Sequence, residues 1–416
     1  MRKQFFGLIL MALCLSSGSI KSQTNSSRGT LLAPTPPMGW MTWNYFADNF
    51  NENDVREMAD AMVTSGMLIA GYDHVFMDDG WQGGRDNRNN IIPNPIKFPS
   101  GIKALADYVH GKGLKLGIYS DAAPLTCAGY TASLNFEDQD AKTFASWGID
   151  YLKYDYCGAP DTMEVAKTRY KKIADALRKS GRDIELGICE WGDRKPWLWG
   201  GQVGGQLWRT TGDVRDKWRS LATVKTANEL HAVGAGILNI VDFSQDYASY
   251  AGPGHWNDMD MLVVGLYGKK GPSSDLGGVG CTDTEYQSQM SLWCIMNSPL
   301  AASNDLRNMN AETKRILLNE EAIAINQDPL GKQAICKIKN ELWSVFVRPL
   351  ANGDFAVAVV NRSETTLNSK ISFTELGLDS SYEIRDLWEH KVIGKGKKWN
   401  GKVMPHQTKL FRLKKI

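Results

Sequence analysis

Residues 150–157, Asp150-Tyr151-Leu152-Lys153-Tyr154-Asp155-Tyr156-Cys157, read as a short buried strand that ends in charge. Side chains alternate along a strand, so Lys153, Asp155 and Cys157 share one face and Leu152, Tyr154 and Tyr156 the other. A lysine and an aspartate forced together at a buried strand end are costly unless they pair or bind something. In this reading Lys153 keeps Asp155 ionised by stabilising its charged form. An ionised, positioned carboxylate is what a nucleophile in sugar chemistry requires. Asp213 is the candidate acid/base: it follows Gly212, which lets backbone or ligand approach closely. Arg209 lies four residues earlier, and its fork could hold a sugar hydroxyl or an acid. Two carboxylates facing one sugar ring can hydrolyse a glycoside, one attacking the anomeric carbon and the other protonating the leaving oxygen. Asp78, Asp79, Lys153 and Glu190 add donors and acceptors suited to a hexose, and Trp43 an apolar face for its ring. A structural ion pair would explain Lys153 and Asp155 equally well in isolation, so the elements around them must decide.

Those elements repeat. Strands are expected over 38–43, 72–79, 114–121, 151–157, 184–191, 207–213, 256–263 and 300–305, with 237–241 competing for the seventh place. Helical spacing covers 53–65, 102–110, 136–147, 162–180, 218–233, 285–296 and 311–325. Eight strands, most followed by a helix, predict an α/β fold, a (β/α)₈ TIM barrel over 28–330. Asp78, Asp79, Tyr119, Asp121, Asp155, Glu190, Asp213 and Asp260 all fall toward C-terminal strand ends, the face where barrel active sites lie. Asp79 and Asp121 could instead cap the helices that follow them. Beyond residues 326–331 the helical spacing stops and short alternating runs begin, with Asn352-Gly353 as a hairpin turn. This predicts a C-terminal antiparallel β-sandwich domain over 331–416.

Composition narrows the class. Lys and Arg number 48 against 46 Asp and Glu, a formal charge of +2 with no basic stripe, which argues against a nucleic-acid binder. Aromatics are plentiful, with 14 Trp, 14 Tyr and 13 Phe, which suits either a large core or platforms for sugar rings. Basic Met1-Arg2-Lys3, an apolar run over 5–15 and small polar residues over 16–22 have the shape of a signal peptide, so 1–27 is expected to be leader and disordered lead. The expected destination is periplasmic or extracellular. Cys14 sits where a lipoprotein cysteine could be, but bulky Leu13 before it makes lipidation the lesser expectation. The apolar run is too short to span a membrane as a mature helix. No set of His and acids has metal spacing, no Gly-rich phosphate loop follows a strand and no G-x-S-x-G elbow is present, so neither metal nor cofactor is expected.

Seven segments taken together resemble the α-galactosidases (melibiases) of glycoside hydrolase family 27, in their plant- and bacterial-type branch. They are Pro37-Met38-Gly39-Trp40, Met77-Asp78-Asp79-Gly80-Trp81, Gly117-Ile118-Tyr119-Ser120-Asp121, Lys153-Tyr154-Asp155, Cys189-Glu190-Trp191-Gly192, Trp208-Arg209-Thr210-Thr211-Gly212-Asp213 and Trp256-Asn257-Asp258-Met259-Asp260-Met261-Leu262. The likeness runs from about Pro36 to the C-terminus. It implies a retaining exo-glycosidase acting on terminal α-galactosyl residues, with Asp155 as nucleophile and Asp213 as acid/base. It further implies Asp78 and Asp79 at the 4- and 6-hydroxyls, Lys153 at the 3- and 4-hydroxyls, and Glu190 and Arg209 at the 2-hydroxyl. Trp43, Tyr119 and Met261 would wall the ring with Asp260 beside them, and Cys127 and Cys157 would form a disulfide, bringing Cys157 to the substrate. Unlike the animal enzymes, the chain has Gly80 after the acid pair and no cysteine near Asp48. Relatives acting on α-N-acetylgalactosaminides carry small residues where Glu190 stands, and relatives removing β-L-arabinopyranose accept a sugar without C6, which the Asp78-Asp79 pair does not suit. A carbohydrate-binding barrel without activity would be expected to lack a catalytic acid, and both are present.

Overall fold

The computed structural model describes residues 31–225, 230–268 and 279–416, so the expected leader over 1–27, with Cys14, lies outside the described residues. Eight strands form one parallel sheet: β1 (Met38–Met41), β2 (His74–Phe76), β3 (Lys115–Asp121), β4 (Tyr151–Asp155), β5 (Glu185–Ile188), β6 (Leu207–Arg209), β7 (Trp256–Asp258) and β8 (Leu300–Ala302). Their order in space is β7-β6-β5-β4-β3-β2-β1-β8. Leu262, just past β7, bridges Ala302 of β8 in parallel and donates to Ala301 O at 2.7 Å, which closes the cylinder. This is the predicted barrel.

Local chemistry sets where the helices start and stop. Asn51 forms a capping box with Asp54 at the head of Glu52–Thr64. Thr162 caps Met163–Lys179 by accepting from Val165 N. Gly148, left-handed at φ 84°, ends Glu137–Trp147 and turns the chain toward β4. Neither Asp79 nor Asp121 caps a helix. Asp79 accepts Ala128 N at 2.8 Å and Asp121 accepts Cys157 N at 2.9 Å, both within the loops above the barrel.

Two sequence expectations fail, and the rival for the seventh strand drops out in favour of 256–263. The helix expected over 218–233 is a hairpin, Leu221–Lys225 antiparallel to Leu230–Ala235, and the second arm pairs in parallel with Asp213–Val214. Two glycines near its end disfavour a helix. Gly236 also lies so near Ser220 N that a Cβ would approach it to 2.6 Å. The segment 237–241, a rival for the seventh strand, lies in the helix Ile237–Ser244. The single last helix over 311–325 is two, Ala311–Leu317 and Glu320–Asn326, because Asn319 caps a fresh start by accepting from Ala322 N.

The C-terminal region holds a six-stranded antiparallel sheet, in spatial order Ile335–Lys339, Trp343–Pro349, Phe355–Asn361, Thr408–Lys415, Tyr382–Asp386 and Lys391–Gly396. A two-stranded sheet, Leu367–Ser372 with Lys398–Val403, packs on one face of it through Val345, Val357, Ile371, Trp399, Val403 and Phe411. Phe346, Ala356, Ala358 and Leu410 of the other face join the barrel's own core. Helix Asp283–Ile295 lies between the two and is buried almost all round, so it shows no polar stripe. Arg348 Nη1 donates to Cys294 O at 3.1 Å and Trp388 Nε1 to Ser291 Oγ at 2.8 Å across this contact. Residues 32–416 form one compact unit.

Candidate active site

The C-terminal strand ends surround a pocket of about 230 Å³. Trp43, Asp78, Asp79, Tyr119, Lys153, Asp155, Cys157, Asp213, Asp260 and Met261 line it, all singled out in the sequence, together with Asn44, Cys127, Trp191 and Asp193. Glu190 and Arg209 stand behind the wall.

Asp155 closes β4 and is buried. Its Oδ1 accepts Tyr156 N at 3.0 Å and its Oδ2 accepts the Tyr119 hydroxyl at 3.1 Å. Burial raises its pKa, the Lys153 charge opposes that, and the charges of Asp213 and Asp78 add to it. The β3–β4 register sets Asp121 opposite Asp155. Burial first, and then the Asp155 charge, push Asp121 up to about 9. The two carboxyls therefore titrate as one unit.

Lys153 shares a face with Asp155, as the alternation predicts, but its direct partner is different. Its ammonium donates to Asp78 Oδ2 at 2.8 Å, across the barrel mouth on β2's exit, and acts on Asp155 through space. The expected Lys153–Asp155 ion pair is thus replaced by Lys153–Asp78. Strand alternation shows which residues share a face, whereas barrel curvature decides which charge lies nearest. Asp78 is fixed by its own N–H donating to Thr42 Oγ1 at 3.0 Å, and its Oδ1 accepts Asp79 N at 2.9 Å. Asp79 Oδ1 is buried with no partner, and burial pushes the carboxyl up to about 6. A buried acceptor at a pocket wall is satisfied when a ligand hydroxyl arrives.

Cys127 and Cys157 form a disulfide, the pairing that the resemblance implies, and both residues line the pocket. Cys189, Cys281, Cys294 and Cys336 are free thiols.

Asp213 sits on the two-residue strand Asp213–Val214, and its side chain is 55% exposed. Val214 N donates to Asp260 Oδ2 at 2.7 Å. Arg209 Nη2 lies 3.1 Å from both Asp213 Oδ1 and Asp260 Oδ2. Asp260 is itself locked by a left-handed backbone (φ 72°) and by Trp293 Nε1 donating to its carbonyl at 2.7 Å. Burial, offset by Arg209, pushes its pKa up to about 6. Arg209 and Asp260 thus form a bracket that presents Asp213 to the pocket.

Glu190 is fully buried and accepts Arg194 N at 2.7 Å and Arg194 Nη1 at 3.0 Å. Burial, partly countered by Arg194, pushes it up to about 8. Arg194 also pairs with Asp161 at 3.0 Å and lies 4.6 Å over the Tyr156 ring. The pocket wall in this region is Trp191 and Asp193, which sequence reasoning missed. Trp191 and Gly192 are successively left-handed, at φ 58° and 81°. A Cβ on Gly192 would meet Thr210 O at 2.3 Å, so glycine is required there. The available signal was Gly192 itself, directly after an acid and an indole at a strand end.

A family model described as "Alpha galactosidase A" matches residues 35–328, and one described as "Alpha galactosidase C-terminal beta sandwich domain" matches 340–413. An α-galactosidase A of Cellvibrio japonicus is 43% identical over 431 residues, spanning 99% of each chain. An α-galactosidase 2 of Arabidopsis thaliana is 43% identical over 387 residues, 92% of this chain and 90% of the plant protein. The crystal structure of α-galactosidase I from Mortierella vinacea superposes with a TM-score of 0.85 at 35% identity, covering 92% of this chain and 98% of that one. With its pocket, its disulfide and its two domains in the same order, this chain belongs to the α-galactosidase (melibiase) family, glycoside hydrolase family 27.

Proposed function

We propose that the protein is an α-galactosidase that removes terminal α-D-galactosyl residues from oligosaccharides or polysaccharide side chains with retention of configuration. The observation that carries this is the pairing of environments at one blind pocket. Asp155 is buried and aimed by two hydrogen bonds, while Asp213 is half-exposed on a bracketed strand end. Asp155 attacks the anomeric carbon while protonated Asp213 gives its proton to the departing oxygen, leaving a covalent galactosyl ester. Asp213, now a carboxylate, takes a proton from water as its oxygen adds to the same carbon, and the ester bond to Asp155 breaks to release α-galactose.

Asp78 and Asp79 hold the 4- and 6-hydroxyls in this reading, and Lys153, fixed by Asp78, reaches the 3- and 4-hydroxyls. Tyr119, Met261 and the Cys127–Cys157 disulfide wall the ring, with Trp43 as its apolar platform. Trp191 supplies the bulk against a 2-acetamido group that sequence reasoning gave to Glu190. Glu190 and Arg209 serve from behind, through Arg194 and through Asp213. The leader and the disulfide support export to an oxidising compartment. Among the described residues no helix is long and apolar enough to cross a membrane.

The test is hydrolysis of matched p-nitrophenyl α-D-galactopyranoside, β-L-arabinopyranoside and α-N-acetylgalactosaminide, with NMR of the first sugar anomer released. Dominant galactoside turnover giving the α-anomer is expected, and Asp155→Asn should abolish it in a folded protein. Preference for the arabinoside would overturn the reading of Asp78 and Asp79, and an inverted anomer would remove Asp155 as nucleophile.

A further inference from the structure

Asp79 is followed by Gly80, whose backbone presses on the loop after β1. Gly80 is left-handed at φ 106°, and a Cβ there would meet Asp48 Cβ and Asp48 O at 2.8 Å. Two segments therefore touch backbone to backbone just where the acid pair leaves β2. The disulfide among the described residues, Cys127–Cys157, lies elsewhere. One ammonium group spans the junction instead. Lys97 Nζ donates to Asp48 O at 2.5 Å and to Gly80 O at 3.0 Å.

The backbone around Lys97 is anchored on both sides. Glu52 N donates to Lys97 O at 2.9 Å, Lys97 N to Asn94 Oδ1 at 3.1 Å, and Asn94 N to Trp81 O at 2.8 Å. The next residue, Phe98, is buried edge-on against Phe50. The Tyr130 ring lies 5.5 Å from the ammonium, and its hydroxyl donates to Asp48 Oδ2 at 2.9 Å. Ala128, two residues before Tyr130, supplies the N–H that holds Asp79 Oδ2. Lys97 thus sits at the meeting point of the loops after β1, β2 and β3, all of which touch the acid pair. Burial draws its pKa down while the charges of Asp48 and Asp79 act to keep it protonated.

We infer that Lys97 is a positioning residue for the Asp78–Asp79 subsite. By tying Gly80 to Asp48 it sets where the unpartnered Asp79 Oδ1 stands, and so tunes preference for a sugar that bears the exocyclic hydroxymethyl group over one that lacks it. This rests on the reading of Asp78 and Asp79 as ligands of the 4- and 6-hydroxyls. It assigns Lys97 no contact with substrate and no proton transfer.

The experiment compares inhibition constants for D-galactose and L-arabinose, the same ring without C6, in wild type, Lys97→Met, Lys97→Arg and Asp79→Asn, each with its melting temperature. Lys97→Met leaves two half-buried carbonyls without a donor, and galactose inhibition should weaken about tenfold. Arabinose inhibition should move less than about twofold, because its contacts do not include the displaced one. KM for the galactoside should rise with kcat little changed. Lys97→Arg should restore most of the selectivity, since a surface hollow of about 360 Å³ beside Lys97 has room for a guanidinium. Equal losses for both sugars, unchanged constants in folded Lys97→Met, or no recovery in Lys97→Arg would each overturn the inference. If Lys97→Met does not fold, Lys97→Gln, which can reach one carbonyl, takes its place with a smaller loss of the same selectivity. An Asp79→Asn variant that fails to separate the two sugars would sink the reading of the acid pair itself. One that separates them while Lys97→Met does not would sink the role of Lys97 alone.

Discussion

Replacing Lys153 with methionine keeps the apolar stem and deletes the charge. Two effects follow. Asp78 loses its 2.8 Å partner at a site where the two side chains are 13% and 3% exposed. Breaking such a buried pair from one side costs about 3–5 kcal/mol. Asp155, meanwhile, loses the main influence that holds its pKa down. Lys153 and Asp155 are two residues apart on β4, about 6.6 Å at the rise of a strand. At an effective dielectric of about 20 the attraction is about 2.5 kcal/mol, or nearly two pH units. Water entering the space that the ammonium leaves screens part of that effect. The net expectation is an upward move of about one unit in the acidic limb of kcat/KM. The sign follows from the chemistry: Asp155 attacks as a carboxylate, so a higher pKa removes activity on the acid side first and leaves the less acidic plateau. The assay is kcat/KM for p-nitrophenyl α-galactoside across the acidic and neutral range, in wild type, Lys153→Met and Lys153→Met/Asp78→Asn. Lost substrate contacts lower the whole profile without moving its limb, so the limb is the readout. An acidic limb that stays in place or moves down in a folded Lys153→Met would refute the reasoning.

Other consequences can be checked with the same preparations. Arg194→Met takes the side-chain donor from fully buried Glu190, whose pKa is already raised to about 8, and chemical denaturation should show a loss of about 1–3 kcal/mol that grows as pH rises past 8 and is largely recovered there in Arg194→Met/Glu190→Gln. KM should rise in both, because Trp191 and Asp193 lose the clamp to Asp161. The Cys127–Cys157 bond closes a loop of 30 residues' separation, so Cys127→Ser/Cys157→Ser should cost about 3–4 kcal/mol of stability. That variant should also turn over more slowly, since Cys157 N positions Asp121 beside Asp155, and an unchanged kcat would count against this. Asp73 is held down to about 2 from 3.8, with burial opposing and His74 and Lys115 prevailing. A depressed carboxylate adds stability above its unfolded pKa and loses it as pH falls through the folded one. Asp73→Asn should therefore cost about 1 kcal/mol near neutrality, after discounting for a side chain 37% exposed, and only a small fraction of that by pH 2. A gap in melting temperature that persists undiminished near pH 2 would contradict it.

Much of the site was legible because it lies at strand ends. Asp155 ends β4, Tyr119 lies two residues before the end of β3, and Asp78 and Asp79 lie just past β2, on strands whose helix-separated spacing already placed them on one barrel face. What escaped was whatever depends on approach between segments. Lys153's choice of Asp78 over Asp155 is set by curvature across β2, β3 and β4, which no strand pattern contains. The hairpin over 221–235 was read as a helix from its spacing, and what decides is the edge offered by Asp213–Val214. Trp191 enters the pocket through two successive left-handed residues, a backbone feature announced only by Gly192. Glu190 was placed at the 2-hydroxyl because a carboxylate at a strand end resembles a ligand, whereas its partner is Arg194, four residues on in the loop that follows. Lys97 carries no motif: a lysine 17 residues after Gly80 acquires meaning only when the fold brings both near Asp48.

The different settings of the two acids account for a division of labour that composition cannot. Asp155 is shut under the ring position, its two oxygens already accepting from Tyr156 N and Tyr119, so it is aimed and lacks freedom to move. The Lys153 charge works against the burial that raises the Asp155 pKa, which favours the ionised form that a nucleophile needs. Asp213 is half in water on a strand of two residues, able to exchange protons with solvent, and its direction comes from Arg209 and Asp260 instead of from burial. Asp213, left as a carboxylate once its proton has gone to the leaving oxygen, faces the same pocket as the ester and takes a proton from the incoming water. The two carboxyls thus divide the work by position: the buried, fixed one bonds the sugar, and the half-exposed one carries protons to and from the oxygens that leave and arrive.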